Sequence, residues 1–341
     1  MTLATIPGNS LTIRPELGQA ANQAASLHTF AEWKARRAQN TIKRAAHELA
    51  NFAEFLATLD NSEPLDLFSD PHAWQGITWG LVKAFITWQL KEGYSIGTVN
   101  LHLSTIKTFA KLATAAGALQ TEQLALIRLV QSYSFKEGKR LDQKRSTTRR
   151  GHKKADFTAL SSIQVMEILS LTDTSTDQGK RDRVLLELLL GLGLRVGELA
   201  SLTAANFNLD AGTVTFYREK VSKEQTHELP AETLQAVREY LATCHEGGEL
   251  PLLRGSRRGG KLGAYGMSTQ AISDRVRSYG RMIGIDNLAA HDLRHTWATR
   301  AAAAGTALND LVSAGGWTGY GRALRYIEAA KIANEGVKRE A

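Results

Sequence analysis

The sequence predicts a mainly α-helical chain of two domains, with one small β-hairpin confined to the second. Three observations carry this reading. The length, 341 residues, is about two domains at ~150 residues each. Apolar residues recur at helical spacing through most of the chain, and the period switches to two only between Thr213 and Leu229. The composition, 43% hydrophobic and 22% charged, supplies enough apolar side chain to offset the entropy of ordering, which excludes disorder. Glycine shows no triplet period and no heptad is sustained, so collagen-like and coiled-coil chains are excluded too. One cysteine, Cys244, rules out an intramolecular disulfide and fits a reducing compartment.

Residues 1–27, rich in Ala, Gln, Asn and Gly, read as a flexible arm. They carry Pro7, Arg14, Pro15 and Glu16 and lack the apolar run of a signal peptide. Residues 28–136 are helical throughout. Thr41 reads as the N-cap of a helix from Ile42 to Leu59, and residues 61–71 supply turns. Two further helices follow at Trp79–Glu92 and Ser95–Ala116. On the second, Lys107 and Lys111 lie one turn apart, either as a solvated face or facing a phosphate backbone.

The net charge is +8, from 42 Lys and Arg against 34 Asp and Glu. Part of it is concentrated in residues 137–154. There Lys139, Arg140, Lys144, Arg145, Arg149, Arg150 and Lys153 are opposed by Glu137 and Asp142 alone. Such a run holds too few apolar residues for a core element and reads as a basic linker. It is either a soluble tether or a strand of cations laid along a duplex, releasing counterions.

The second domain is expected over residues 155–341. A helix capped near Ser161 or Ser162 comes first, then a strongly apolar one from Arg181 to Gly191, and a third from Arg195 to Leu202. Thr213–Arg218 and Thr226–Leu229 read as strands around a charged turn. Helices return at 231–244, 268–283, 292–304, 308–314 and 322–333. The longest apolar stretch, 184–194, is broken by Glu187 and falls short of the ~20 residues that span a bilayer. A cytoplasmic, nucleoid-associated protein is expected.

Two motifs are set aside. Gly255-Ser256-Arg257-Arg258-Gly259-Gly260-Lys261 fits a phosphate-binding loop, but Leu262 stands where the Mg²⁺-binding hydroxyl belongs. Arg257, Arg258 and Lys261 make it instead a basic loop. His291 and His295 share a helical face, yet Asp292 replaces the carboxylate a zinc protease needs, and Arg294 between them would repel a cation. No metal is expected.

What remains suits a phosphodiester. Arg195 has Glu198 one turn later, and His291 and Arg294 pair a proton acceptor with a cation at i, i+3. Gly315-Gly316-Trp317-Thr318-Gly319-Tyr320 precedes Leu324-Arg325-Tyr326, offering two tyrosines that are either nucleophiles or core aromatics.

In this order, Leu-Arg-x-x-Glu-Leu, a hairpin lysine, His-x-Leu-Arg-His, Gly-Trp and a tyrosine resemble the tyrosine recombinase (phage integrase) family. The closing segment is Cre-like, whereas the His-Asp-Leu-Arg-His-Thr-Trp-Ala-Thr stretch is more like Xer proteins and phage integrases. The resemblance covers about residues 155–335, and residues 28–136 match only in architecture. It implies a helical, SAM-like core-binding domain and a catalytic domain that together clamp duplex DNA. It places the catalytic set on Arg195, Lys220, His291, Arg294, Trp317 and Tyr326, with Glu198 and His295 in support. The spacing from Trp317 selects Tyr326 over Tyr320, while Lys223 remains an alternative to Lys220.

By the same resemblance, Tyr326 attacks a DNA phosphate to give a 3′-phosphotyrosine, His291 takes its proton, and Lys220 protonates the leaving 5′-oxygen. No cofactor is implied. The implied partners are duplex DNA with an inverted-repeat core site and, on two such sites, a homotetramer assembled from monomers with a C-terminal docking tail. A non-catalytic DNA-binding regulator and a type IB topoisomerase-like relaxing enzyme are the alternatives. DNA contacts are expected from Lys107, Lys111, the linker cations and the basic loop.

Overall fold

The computed structural model describes residues 15–144, 158–244, 248–257 and 260–330. The chain divides into two units, Met1–Lys153 and Lys154–Ala341.

The first unit is helical: α1 (Pro15–Ser26), α2 (Thr29–Ala35), α3 (Gln39–Asp60), α4 (Trp79–Lys91), α5 (Ile96–Ala115), α6 (Thr121–Leu129) and α7 (Phe135–Lys144). Its centre is α5, whose N-cap Ser95 accepts from the Thr98 N–H. Val99, Leu103, Ile106, Phe109, Ala110 and Ala113 of α5 are buried with Leu49 and Phe52 of α3 and Phe85 of α4.

Three expectations are corrected here. The segment before residue 27, read as an arm, is helical from Pro15 to Ser26, and residues 16–25 are exposed. Its alanines favour helix without supplying a face to bury. Helix α3 begins at Gln39, because the Thr41 N–H already bonds back to Ala38 O at 2.8 Å. The stretch read as linker from residue 137 continues as α7 to Lys144. Gly138 permits the approach to Ile96 that a Cβ, at 2.9 Å, would obstruct, and Asp142 accepts the Ile96 N–H at 3.4 Å.

The second unit comprises α8 (Ser162–Ser170), α9 (Asp177–Gly191), α10 (Val196–Ser201), β1 (Phe207–Asn208), β2 (Thr213–Arg218), β3 (Lys223–Glu228) and α11 (Ala231–Cys244). β4 (Arg254–Ser256), β5 (Leu262–Gly266), α12 (Thr269–Met282), α13 (Ala290–Ala303), α14 (Leu308–Gly315) and α15 (Tyr320–Ala330) complete it. β1, β2 and β3 form an antiparallel sheet, and β4 pairs with β5 in a second one. Helix α9 is the core: Val184, Leu185, Leu186, Leu188, Leu189 and Leu190 are all buried, so it is apolar around most of its circumference. It packs against α11 and α13.

The charges on α9 are neutralised locally. The fully buried Asp182 carboxylate receives Arg181 at 2.7 Å, Arg275 at 2.5 Å and the Tyr279 hydroxyl at 3.0 Å. Arg181 also donates to Arg254 O and Ser256 Oγ, tying β4 to α9. The glycine-rich 255–261 segment is the turn from β4 into β5, with none of the strand–loop–helix context of a nucleotide site. Among the described residues no helix is long and apolar enough to cross a membrane, and no cluster of metal-ligating side chains occurs.

Candidate active site

Two arginines are brought together by turns that only glycine permits. After α9 the chain turns through Gly193 at φ +59°, where a Cβ would meet the Trp297 ring at 2.2 Å. Arg195 then caps α10. Glu198 accepts its backbone N–H at 2.8 Å and its Nη1 at 2.6 Å, and Arg195 Nη2 donates to Gly316 O at 2.7 Å. Arg294, 2% exposed on α13, donates from Nη1 to Gly193 O and from Nη2 to Gly315 O. Arg195 Nη2 also reaches Gly315 O at 3.4 Å, so the two guanidiniums share one carbonyl. Burial, and then the neighbouring Arg195, push the Arg294 pKa down to about 10, which leaves it cationic at neutral pH. A guanidinium carries five donors, so both arginines keep N–H groups beyond those used internally.

Beside this pair lies an aromatic stack. The Arg294 guanidinium sits 5.3 Å from the centre of the Trp317 ring, and Trp317 stacks on Tyr326 at 5.6 Å and 18°. Both rings are 8% exposed. Tyr320, at the start of α15, is 53% exposed. The Tyr326 hydroxyl meets His295 Nδ1 at 2.5 Å, and the His295 ring stands edge-on to His291 at 4.4 Å. Burial raises the Tyr326 pKa, opposed by Arg294, Arg322 and Arg325. Partial desolvation and Arg294 hold His291 below the usual histidine range.

The proton-accepting role expected of His291 is thus corrected, since the ring in hydrogen-bond contact with the phenol is His295. His291 is solvent-exposed, one turn nearer the start of α13. The Asp292 between them is structural: its carboxylate caps α13 through the Ala289 N–H at 2.8 Å and accepts the Thr158 N–H at 3.1 Å.

Lys220 occupies the 3-10 turn Glu219–Val221, and Lys223 opens β3 opposite Arg218. Both lysines are exposed, and among the described residues neither forms an ion pair or a side-chain hydrogen bond with the arginines. The residue that sequence reasoning missed is Arg218, whose side chain is completely buried against Glu198 at 3.7 Å. A lone arginine at a strand end carries no pattern that marks it as interior.

Among the expected DNA contacts, Lys107 is corrected. Its Nζ donates to Val130 O at 2.5 Å and Arg128 O at 3.0 Å, closing the carbonyl end of α6. Lys111, Arg140, Lys144, Arg257 and Lys261 are exposed. Arg145, Arg149, Arg150, Arg258 and the Lys139 side chain lie outside the described residues. The first unit has a cationic concavity that the sequence did not reveal, about 380 Å³, lined by Arg36, Arg37 and Arg44 with the hydroxyls of Thr41, Ser104 and Thr108.

Known proteins share these features. The model of the phage integrase family matches residues 159–332. A tyrosine recombinase XerD of Neisseria meningitidis serogroup B is 29% identical over 187 residues, 54% of this chain and 62% of that protein. The match therefore spans less than two thirds of that relative. Among solved structures, the Tn1549 transposon integrase in complex with a circular intermediate DNA aligns with a TM-score of 0.60 at 15% identity. That alignment covers 89% of this chain and 94% of the other. A lambda integrase tetramer bound to a Holliday junction aligns with a TM-score of 0.57 at 15% identity, covering 94% and 83%. At these identities the likeness is one of fold.

Proposed function

The chain belongs to the phage integrase family, and from that premise we propose that it is a tyrosine site-specific recombinase that cuts and rejoins duplex DNA. The observation that carries this reading is the Arg195–Arg294 pair on the Gly315 carbonyl, with Tyr326 stacked beside it on Trp317.

Tyr326 attacks the scissile phosphorus, forming a 3′-phosphotyrosine and releasing a 5′-oxygen. The pentacovalent transition state gains negative charge, and the free N–H groups of Arg195 and Arg294 bind its non-bridging oxygens. Preorganisation by Glu198 and the glycine carbonyls means these donors need not reorient as the charge develops. A phenol ordinarily has pKa ≈ 10, and burial raises that of Tyr326 further, so attack requires a base. His295 Nδ1 takes the proton, with His291 alongside. Lys220 protonates the departing 5′-oxygen. The phosphotyrosine conserves the bond energy, and attack by another strand's 5′-hydroxyl reverses the chemistry with exchange.

Both units contact the duplex, the first through Arg36, Arg37 and Arg44, the second through Arg257 and Lys261. Exchange proceeds in a tetramer on two sites. The lambda integrase tetramer on a Holliday junction shows that a protein of this fold forms such an assembly.

The test has two steps. A bound sequence is selected from random duplexes, and a nicked suicide substrate is built on it. A protein–DNA adduct that resists denaturant supports the reading. Binding without an adduct makes the chain a non-catalytic DNA-binding protein. Relaxation of plasmids lacking the site makes it a topoisomerase-like enzyme.

A further inference from the structure

Arg218 ends β2, two residues before Lys220, yet its side chain turns away from that exposed turn into the interior. It is 0% exposed. Its Nη2 donates to Ala314 O at 2.8 Å, in the last turn of α14. Its Nη1 lies 3.7 Å from Glu198 Oε1, the same oxygen that holds Arg195 at 2.6 Å. The guanidinium sits over Phe216 at 5.0 Å. Across the hairpin His227 Nε2 lies at 3.4 Å from Nη2. Room for the group is made by Gly316, where a Cβ would meet Arg218 Nη1 at 2.3 Å.

This arrangement is a poor one for stability. A buried cation is costly unless fully paired, and Arg218 Nε and Nη1 have no hydrogen-bond partner among the described residues. An apolar side chain would fill the volume without that penalty. What the cation does achieve is connection. It links the strand leading into the Lys220 turn to Glu198 and to Ala314, directly before the Gly315 and Gly316 carbonyls that hold Arg195 and Arg294. A neighbouring bond reinforces the joint: Gln225 of β3 donates to Ser313 O at 3.2 Å.

We infer that Arg218 is a positioning residue that anchors the Lys220 turn to the arginine pair, so that the proton donor arrives at the phosphate the arginines hold. The inference rests on the recombinase reading above and on Lys220 as the acid. Arg218 touches no reacting atom and acts through Lys220.

The test is single-turnover cleavage of the nicked suicide duplex, with the ordinary 5′-oxygen and with a bridging 5′-sulfur, which leaves without a proton. Wild type, Lys220→Ala, Arg218→Met and Arg218→Lys are compared. With oxygen, Arg218→Met cleaves at least about tenfold more slowly, within the ~10²–10⁴ range that proton donation supplies. With sulfur its rate returns to within a few-fold of wild type, as does that of Lys220→Ala. Arg218→Lys, which keeps the charge but loses the forked grip, shows the same rescue with a smaller defect. It also serves if the Met variant does not fold. Equal losses on both substrates overturn the inference, since Arg218 then serves the arginines or the fold. No loss on either overturns it too. A Lys220→Ala defect that sulfur fails to rescue removes Lys220 as the acid and the positioning role with it. Absence of any wild-type adduct marks failure of the recombinase reading itself.

Discussion

The Tyr326 hydroxyl and His295 Nδ1 stand 2.5 Å apart, and His291 meets this pair edge-on through the His295 ring. The geometry gives the two histidines different work. His295→Gln is expected to slow adduct formation on the nicked duplex by about 10²-fold or more, and His291→Gln by less. Comparing the two initial rates checks this. A larger defect in His291→Gln would return the base to that position.

Gly193→Ala tests the turn that supports Arg294. The residue sits at φ +59° with Trp297 at 2.2 Å from an added Cβ, and its carbonyl receives Arg294. Backbone strain and overpacking each cost about 1–3 kcal/mol. A lower melting temperature together with lost cleavage is expected. Gly197→Ala is the matched control, since nothing lies within 4 Å of its added Cβ. It should retain both stability and activity.

The correction of Lys107 separates two kinds of basic residue. Changing Arg36 and Arg37 to Gln should lower the salt slope of log K for duplex binding by up to about one unit per lost phosphate contact. Target and random DNA should weaken alike, because phosphate contacts carry no sequence information. Lys107→Met should leave the slope unchanged and lower the melting temperature, since the amine closes α6. Binding isotherms over a salt series and a thermal melt distinguish the two. A reduced slope for Lys107→Met would put its amine on DNA.

Stability should fall on mild acidification. His102 and His227 are both pushed down to about 4, first by burial, then by His47 and Arg218 respectively. In the unfolded chain they titrate near 6.5. Their contribution is therefore complete above pH 6.5, declines as the unfolded state takes up protons first, and is lost as pH falls through about 4. The melting temperature should drop steadily between pH 6.5 and 4.5. A flat profile there would contradict the burial of these rings in the native state.

Much of the second unit was legible in the sequence because its elements announce themselves locally. The leucine run of α9, the Ser161 and Ser268 caps and the period-two stretch before Arg218 are local signals. The motif around Arg195 and Arg294 was legible for a different reason. A transition-state charge demands particular side chains, and the glycines at 193, 315 and 316 demand particular turns. What stayed hidden depends on tertiary contact. Lys107 reads as a solvated cation until α6 ends beside it. Arg218 and Asp182 read as surface charges until their partners arrive from elements far along the chain. The β4–β5 pair escaped notice because Gly255, Gly263 and Gly266 dilute any alternation. The His291 and His295 roles differ by a single helical turn, which spacing alone does not resolve against a tyrosine on another helix.

The central claim is that Tyr326 becomes covalently joined to DNA. The most direct measurement is adduct formation on the nicked suicide duplex by wild type, Tyr326→Phe and Tyr320→Phe, with binding followed in parallel. All three should bind the site with similar affinity. Wild type and Tyr320→Phe should accumulate an adduct, and Tyr326→Phe should form none. An adduct with Tyr326→Phe, or its loss with Tyr320→Phe alone, would contradict the account.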